Sequence, residues 1–147
     1  MSGGSITLRQ ADERTLSSVE TLLAENDLPT ADVRSNPGWF YLAFHGDDRV
    51  GVGGIEPYGT DGLLRSVVVE RSARGNGLGT ALTEALEEVA REEGIATLYL
   101  LTTTASAFFA SHGYEEIDRI DAPDAILRTT EFAELCPASA TCMRKSL

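Results

Sequence analysis

The chain has 147 residues, 42% of them apolar, with 12 basic and 23 acidic side chains that leave a formal charge of −11. That length suits one domain with one core, the apolar content excludes wholesale disorder, and no stretch approaches the roughly 20 apolar residues of a membrane span. The acidic surplus argues against nucleic acid as a partner, because neutralising phosphates takes a basic face.

The start, Met1-Ser2-Gly3-Gly4-Ser5, lacks the basic segment and apolar run of a signal peptide. A cytoplasmic protein is therefore expected. Lys145 is the only lysine beside eleven arginines. Lysine depletion with acidic surplus fits adaptation to high salt, where self-repulsion is screened; it fits equally an acidic enzyme from a GC-rich genome. Cys136 and Cys142 are the two cysteines. A reducing cytoplasm argues against a disulfide, their spacing matches no common zinc pattern, and His45 and His112 stand apart, so no metal site is expected.

In chain order, Ile6 to Arg9 alternates like a short strand, and Asp12 is placed to cap a helix running to about Asn26, with Leu16, Val19, Leu22 and Leu23 on one face. Leu28-Pro29-Thr30 ends it and Asn36-Pro37-Gly38 is turn chemistry. Trp39–Phe44 and Arg49–Ile55 read as strands around the turn His45-Gly46-Asp47-Asp48, and Gly59-Thr60-Asp61-Gly62 turns the chain into a valine-rich strand, Leu63–Val69. Gly79–Glu93 is the clearest helix, with Leu82, Ala85, Leu86 and Val89 as its apolar stripe and Gly94 as its stop. Ala96–Leu101 is a strand, Ala105–Ser111 a short helix, and Glu115–Ile120 a strand after the turn at His112-Gly113-Tyr114. Asp121–Leu135 should hold one or two helical turns before a last strand, Thr141–Lys145. The order describes a mixed α/β layout around one central sheet, in a single domain spanning residues 1–147.

Arg74-Gly75-Asn76-Gly77-Leu78-Gly79 lies between the valine-rich strand and the best helix. Amides at a helix N-terminus lack intrahelical partners and carry the positive end of the helix dipole, and glycines let a phosphate approach them. The pattern lacks the Gly-Lys-Ser/Thr ending of a nucleoside-triphosphate loop, and Thr80 stands where a dinucleotide fold wants glycine. On the loop alone, a phosphate cradle and a glycine-rich turn that merely caps a helix are both open.

The run Leu64–Val69, followed by Arg74-Gly75-Asn76-Gly77-Leu78-Gly79-Thr80-Ala81-Leu82, resembles the acetyl-CoA motif of the GNAT (Gcn5-related) N-acetyltransferase superfamily, and Gly113-Tyr114 resembles its Gly-Phe/Tyr turn. The resemblance covers nearly the whole chain. Gly54–Gly59, Leu64-Arg65-Ser66, Leu100–Thr104 and Glu131–Ala140 look more narrowly like the arsenic-resistance branch. The implied fold is α/β (α+β), a central mixed sheet of six to seven strands flanked by helices. The implied reaction transfers an acetyl group directly from acetyl-CoA, as co-substrate, to the amine of a small molecule such as an amino acid-like toxin or organoarsenical. A non-catalytic acetyl-CoA-binding module is the competing reading. Many superfamily members pair through their sheets or C-terminal segments, which leaves a homodimer open.

The same resemblance assigns roles. The backbone of Val67, Val68 and Val69 would hold the pantetheine arm, with an amide near Val67 polarising the thioester carbonyl. Amides of Arg74, Gly75, Asn76, Gly77, Leu78, Gly79 and Thr80 would hold the pyrophosphate, and Phe108 and Phe109 would pack on the pantetheine. Glu56, read on the rim where substrate enters, is the candidate base, against the reading of a solvated strand-end carboxylate. Tyr58 and Arg65 are candidate substrate contacts, Arg65 alternatively one half of a cross-strand ion pair. Cys136 is a candidate ligand for the acceptor, or a small buried hydrophobe. Phe109 occupies the place where many members carry the tyrosine that protonates the leaving thiolate. Tyr114, Ser111 or water would substitute, or the thiolate leaves unaided, since a free thiol has a pKa of about 8.5.

Overall fold

The computed structural model describes residues 6–26, 28, 30, 33–70, 73, 77–129, 132 and 140–147. Its elements are β1 (Thr7–Gln10), α1 (Leu16–Glu25), β2 (Phe40–His45), β3 (Asp48–Tyr58), β4 (Asp61–Val69), α2 (Leu78–Glu92), β5 (Thr97–Thr102), α3 (Ser106–Ser111), β6 (Glu115–Ile117), α4 (Asp124–Leu127) and β7 (Thr141–Ser146). The strands form a seven-stranded mixed sheet in the order β1-β2-β3-β4-β5-β7-β6, the mixed α/β arrangement expected. Among the described residues no helix is long and apolar enough to cross a membrane.

The chain forms two compact units, Met1–Ile55 with Ser66–Val89 and Glu56–Arg65 with Ala90–Leu147. In the first, Leu16, Val19, Leu22 and Leu23 of α1 are buried with Phe40, Leu42, Val52 and Val68 in one apolar cluster. The helix begins later than its capping residue suggested. Asp12 Oδ1 accepts the amides of Arg14 and Thr15 at 2.9 and 3.2 Å, so it closes the turn before α1. Leu78, Leu82 and Leu86, at i, i+4 spacing on α2, are at most 4% exposed, whereas Ala85 and Val89 of the expected stripe are half-buried. The helix packs close to β3: a Cβ at Gly53 would collide with the Leu86 side chain, and one at Gly51 with the Val68 carbonyl oxygen.

In the second unit, Leu63, Tyr99, Ala122, Ile126, Phe132 and Cys142 make a separate core. β7 pairs antiparallel with β5 from Thr97–Ser146 to Thr102–Thr141 and with β6 on its other side. β3 runs three residues beyond its expected end at Ile55 and carries Glu56 and Tyr58 within the strand. β6 stops at Ile117, earlier than expected, because residues Arg119–Asp121 turn as a 3-10 helix. Among the described residues of the segment expected to hold one or two helical turns, α4 is one turn and Phe132 is π-helical.

Candidate active site

β4 pairs parallel with β5 over Asp61–Leu63 against Thr97–Tyr99. Beyond those pairs β4 continues to Val69 and β5 to Thr102, while β5 is paired with β7 along its whole length. The parallel ladder thus ends after three residue pairs, which leaves the β4 backbone beyond Leu63 outside it. Three residues on, Ser66 has φ 59°, the only positive φ of a non-glycine among the described residues. A left-handed residue costs an L side chain about 1–2 kcal/mol and interrupts the regular alternation of strand amides and carbonyls. Past it, Val68 is 6% exposed in the core of the first unit, while Val67 and Val69 are half-buried. The side chains alternate as a strand requires, and the valines serve the core through Val68.

Gly77 comes directly before α2. Its φ of +73° is left-handed, and a Cβ built there would meet nothing within 4 Å. The Gly77 carbonyl accepts the Ala81 amide at 3.2 Å, so helical bonding begins at this residue. Leu78 is buried and anchors the first turn, and Gly79 and Thr80 are half-buried. Arg74, Gly75 and Asn76 lie outside the described residues.

Glu56, Tyr58 and Arg65 come together in the second unit. Glu56 is 1% exposed, so the reading of a solvated strand-end carboxylate is corrected: β3 continues past it to Tyr58. Tyr58 donates its hydroxyl proton to Glu56 Oε1 at 2.6 Å. Arg65 Nη1 donates to Oε2 at 2.8 Å, with 0% of the arginine side chain exposed. Of the two readings of Arg65, the ion pair is the one present. Glu56 and Tyr58 sit two apart on one strand, which places them on one face.

Phe108 and Phe109 meet edge to face with centroids 5.1 Å apart. Phe109 is 7% exposed and turns an edge to Tyr114 at 5.5 Å; Phe108 is half-buried and stacks on His112 at 4.4 Å. Tyr114 is 3% exposed, with Lys145 Nζ 5.5 Å from its ring centroid. The Ser111 hydroxyl donates to the Phe108 carbonyl at 2.6 Å.

Cys142 is a free thiol, 3% exposed. Burial pushes it up to about 11, with the Arg119 guanidinium pulling weakly the other way. Burial also raises Tyr99, helped by Asp61 and opposed by Arg144. Cys136 lies outside the described residues. Among the described residues no three His, Cys, Asp or Glu side chains gather to hold a metal ion. Sequence reasoning named Glu56, Tyr58 and Arg65 separately and missed their union; the i, i+2 spacing on one strand was its signal. Nothing in Leu64–Val69 foretold the left-handed Ser66.

Residues 36–116 match the family described as acetyltransferase (GNAT) domain. The chain is similar to an amino-acid acetyltransferase of Mycobacterium tuberculosis (strain ATCC 25618 / H37Rv), 35% identical over 83 residues, 54% of this chain and 47% of the relative. It is similar to an uncharacterized N-acetyltransferase of Chlorobaculum tepidum, 35% identical over 79 residues, 54% of this chain and 48% of the relative. The chain thus spans about half the length of these curated relatives. Among solved structures, N-acetylglutamate synthase from Neisseria gonorrhoeae, complexed with coenzyme A and N-acetyl-glutamate, superimposes with a TM-score of 0.82 at 18% identity, over 97% of this chain and 35% of that one. Rv2747 from Mycobacterium tuberculosis, in complex with CoA and NLQ, gives 0.78 at 22% identity, over 96% and 99%. At these identities the likeness to the solved structures is one of fold.

Proposed function

The chain belongs to the GNAT acetyltransferase family, and from that premise we propose that it is an acetyl-CoA-dependent N-acetyltransferase for the amine of a small molecule, acting by direct transfer. The observation that carries the reading is the head of α2. A 15-residue helix opens directly after a left-handed glycine whose Cβ position is empty space. The first turn of a helix directs amides toward an anion, and a glycine there lets the anion come close. These features fit a pyrophosphate, and Gly77, Leu78, Gly79 and Thr80 are the described residues that would hold it.

Acetyl-CoA supplies a thioester, whose carbonyl is the electrophile. The chain supplies an extended strand for the arm, at Val67, Val68 and Val69 after the break at Ser66, and an apolar ring in the half-buried Phe108. Phe109 has no proton to give. The thiolate takes its proton from Tyr114 or leaves unaided, and Tyr114→Phe separates the two: kcat falls in the first case and holds in the second.

Amino acids are the acceptor class placed first, because a curated relative is named an amino-acid acetyltransferase. The sequence likeness to the arsenic-resistance branch adds amino acid-like organoarsenicals to the same class. The non-catalytic CoA-binding reading is favoured by one observation, Phe109 at the expected tyrosine position. Calorimetric titration with CoA and a thiol-release assay over the common L-amino acids and an amino acid-like organoarsenical distinguish them. We expect CoA binding and at least one amine that raises thiol release about tenfold over hydrolysis. CoA binding with no responsive amine would leave the binding module as the function.

A further inference from the structure

Two apolar side chains of like volume would stabilise the place of Glu56 and Arg65 as well or better, since desolvating an ion pair costs about what its attraction returns. A buried pair has its clearest use where it selects one arrangement among several, and strand register is such a choice. β3 and β4 are neighbours in the sheet, joined by the two-residue turn Gly59-Thr60. Their apolar side chains do little to choose a register. Residues 50–56 of β3 and 62–66 of β4 are buried without a break, so both faces of each strand are covered. Leu63 and Leu64 are 0% and 1% exposed, and a one-residue slip exchanges one leucine for the other. Gly51, Gly53 and Gly54 bring no side chain to resist it.

The hairpin nevertheless holds two registers. Tyr58 and Asp61 flank the turn, and at the far end the Glu70 amide donates to the Val50 carbonyl at 2.7 Å. Counted from the turn, Val50 lies eight residues before Tyr58 and Glu70 nine residues after Asp61. β4 therefore carries one residue more than β3, a β-bulge. Beyond such a residue every β4 side chain has changed face relative to β3. Two contacts, each inside one compact unit, limit where the extra residue lies. Glu56 bonds Arg65, which puts both on one face and requires the register of the turn. Val52 and Val68 share an apolar cluster, which requires the register of Val50 and Glu70. The extra residue thus falls after Arg65 and before Val68, and of the two residues there Ser66 has the left-handed φ of 59°.

We propose that the Glu56–Arg65 pair is the device that holds the bulge at Ser66. A bulge moved toward the turn would carry Arg65 to the face opposite Glu56 and leave two buried charges apart, a far larger penalty than trading leucine for leucine. The Tyr58 hydroxyl, donating to Glu56 Oε1 at 2.6 Å, steadies the carboxylate's other oxygen. Glu56 and Arg65 then act as positioning residues. The Val67 amide belongs to the peptide that follows Ser66, so its direction depends on where the bulge sits. That consequence rests on the reading of Val67, Val68 and Val69 as the strand holding the arm of CoA; the bulge assignment itself does not.

The test uses the full chain, isotope-labelled, with cross-strand nuclear Overhauser contacts over residues 50–70 reading the register and calorimetry reading CoA Kd. Tyr58→Phe is the control, and two variants are built on it. One adds Glu56→Leu and Arg65→Met, an apolar pair; the other adds Glu56→Arg and Arg65→Glu, the charges exchanged. Wild type and control should show one set of contacts. The apolar variant should fold and show a second set, with the bulge on the turn side of Arg65, in about a tenth of molecules or more. Its CoA Kd should rise as the fraction keeping the Ser66 bulge falls, about twofold where half is lost. The exchanged pair should return to one set. A single wild-type set in the apolar variant overturns the proposal, and so does a mixture in the exchanged variant. If the apolar variant does not fold, the exchanged variant decides; if neither folds, the hairpin needs these two residues for more than register and the proposal fails. A wild type that binds no CoA ends the reading of the arm site, while the contacts still decide the register.

Discussion

At the head of α2 the polar groups are backbone; in the strands carrying Glu56, Tyr58 and Arg65 they are side chains. Gly77 has a left-handed φ and open space where a Cβ would be, so the atoms proposed to face an anion there are amides fixed by the helix itself. Glu56 and Arg65 pair at 2.8 Å, with 2% and 0% of their side chains exposed. The two arrangements differ in how they fail. A backbone site tolerates many side chains and loses function when something fills its space. A buried side-chain pair depends on each member, because removing one leaves the other charge uncompensated.

The largest expected effect follows from that dependence. Arg65→Met should destabilise the fold by about 3–5 kcal/mol, the range for an orphaned buried charge. Glu56→Gln with Arg65→Met should cost distinctly less than Arg65→Met alone, because the double variant leaves no ion behind. Urea unfolding at neutral pH measures both. A single variant within about 1 kcal/mol of wild type would show that water reaches the pair and would end the contrast with α2.

The second prediction breaks the backbone site by filling it. Gly77→Glu places a carboxylate where phosphate is read to sit, and CoA affinity should fall on the order of 100-fold or more from like-charge repulsion. Stability should drop by only about 1–2 kcal/mol, the cost of a left-handed non-glycine residue. Gly77→Asn, which tolerates that conformation, separates the causes: calorimetry should find its CoA affinity near wild type. Loss of affinity in Gly77→Asn equal to that in Gly77→Glu would assign the effect to backbone strain and not to charge.

The contrast also explains what could be read from the sequence. The glycine-rich turn, α2 and the order of elements along the chain are local or nearly local patterns. The sequence places the helix at Gly79–Glu93 with Leu82 and Leu86 on its buried face, and the helix observed starts one residue earlier, at Leu78. The ion pair depends on which residues of β3 and β4 meet, and pairing register is set by tertiary packing and turn geometry. Arg65 is therefore divided in the sequence between a substrate contact and an ion pair, and an expected end of β3 at Ile55 leaves Glu56 divided between a base on the substrate rim and a solvated strand-end carboxylate. Ser66 was illegible for another reason. Leu64–Val69 has uniform strand propensity, and its left-handed φ of 59° comes from the tertiary setting and not from the residue type.

Cys142 extends the comparison to a third way of storing a polar atom, which is to keep it neutral. Its thiol stands at about 11 in the fold against 9.0 without burial, because enclosure disfavours the thiolate more than Arg119 favours it. Between those values the unfolded chain releases a proton that the folded chain keeps. The contribution is therefore fully present below pH 9 and is lost as pH rises toward about 11. A shift of this size corresponds to at most about 2–3 kcal/mol. Tyr99 titrates nearby, so wild type must be compared with Cys142→Ala, which retains it. Urea unfolding at rising pH should show the advantage of wild type over Cys142→Ala narrowing above pH 9, and the thiol should resist alkylation in the folded chain at pH 8. Parallel pH slopes for the two proteins would mean that Cys142 ionises as freely folded as unfolded, and that the second core admits water at β7. The Glu56–Arg65 pair would then lose its distinction as well, since Leu63 and Tyr58 of the same unit line that core.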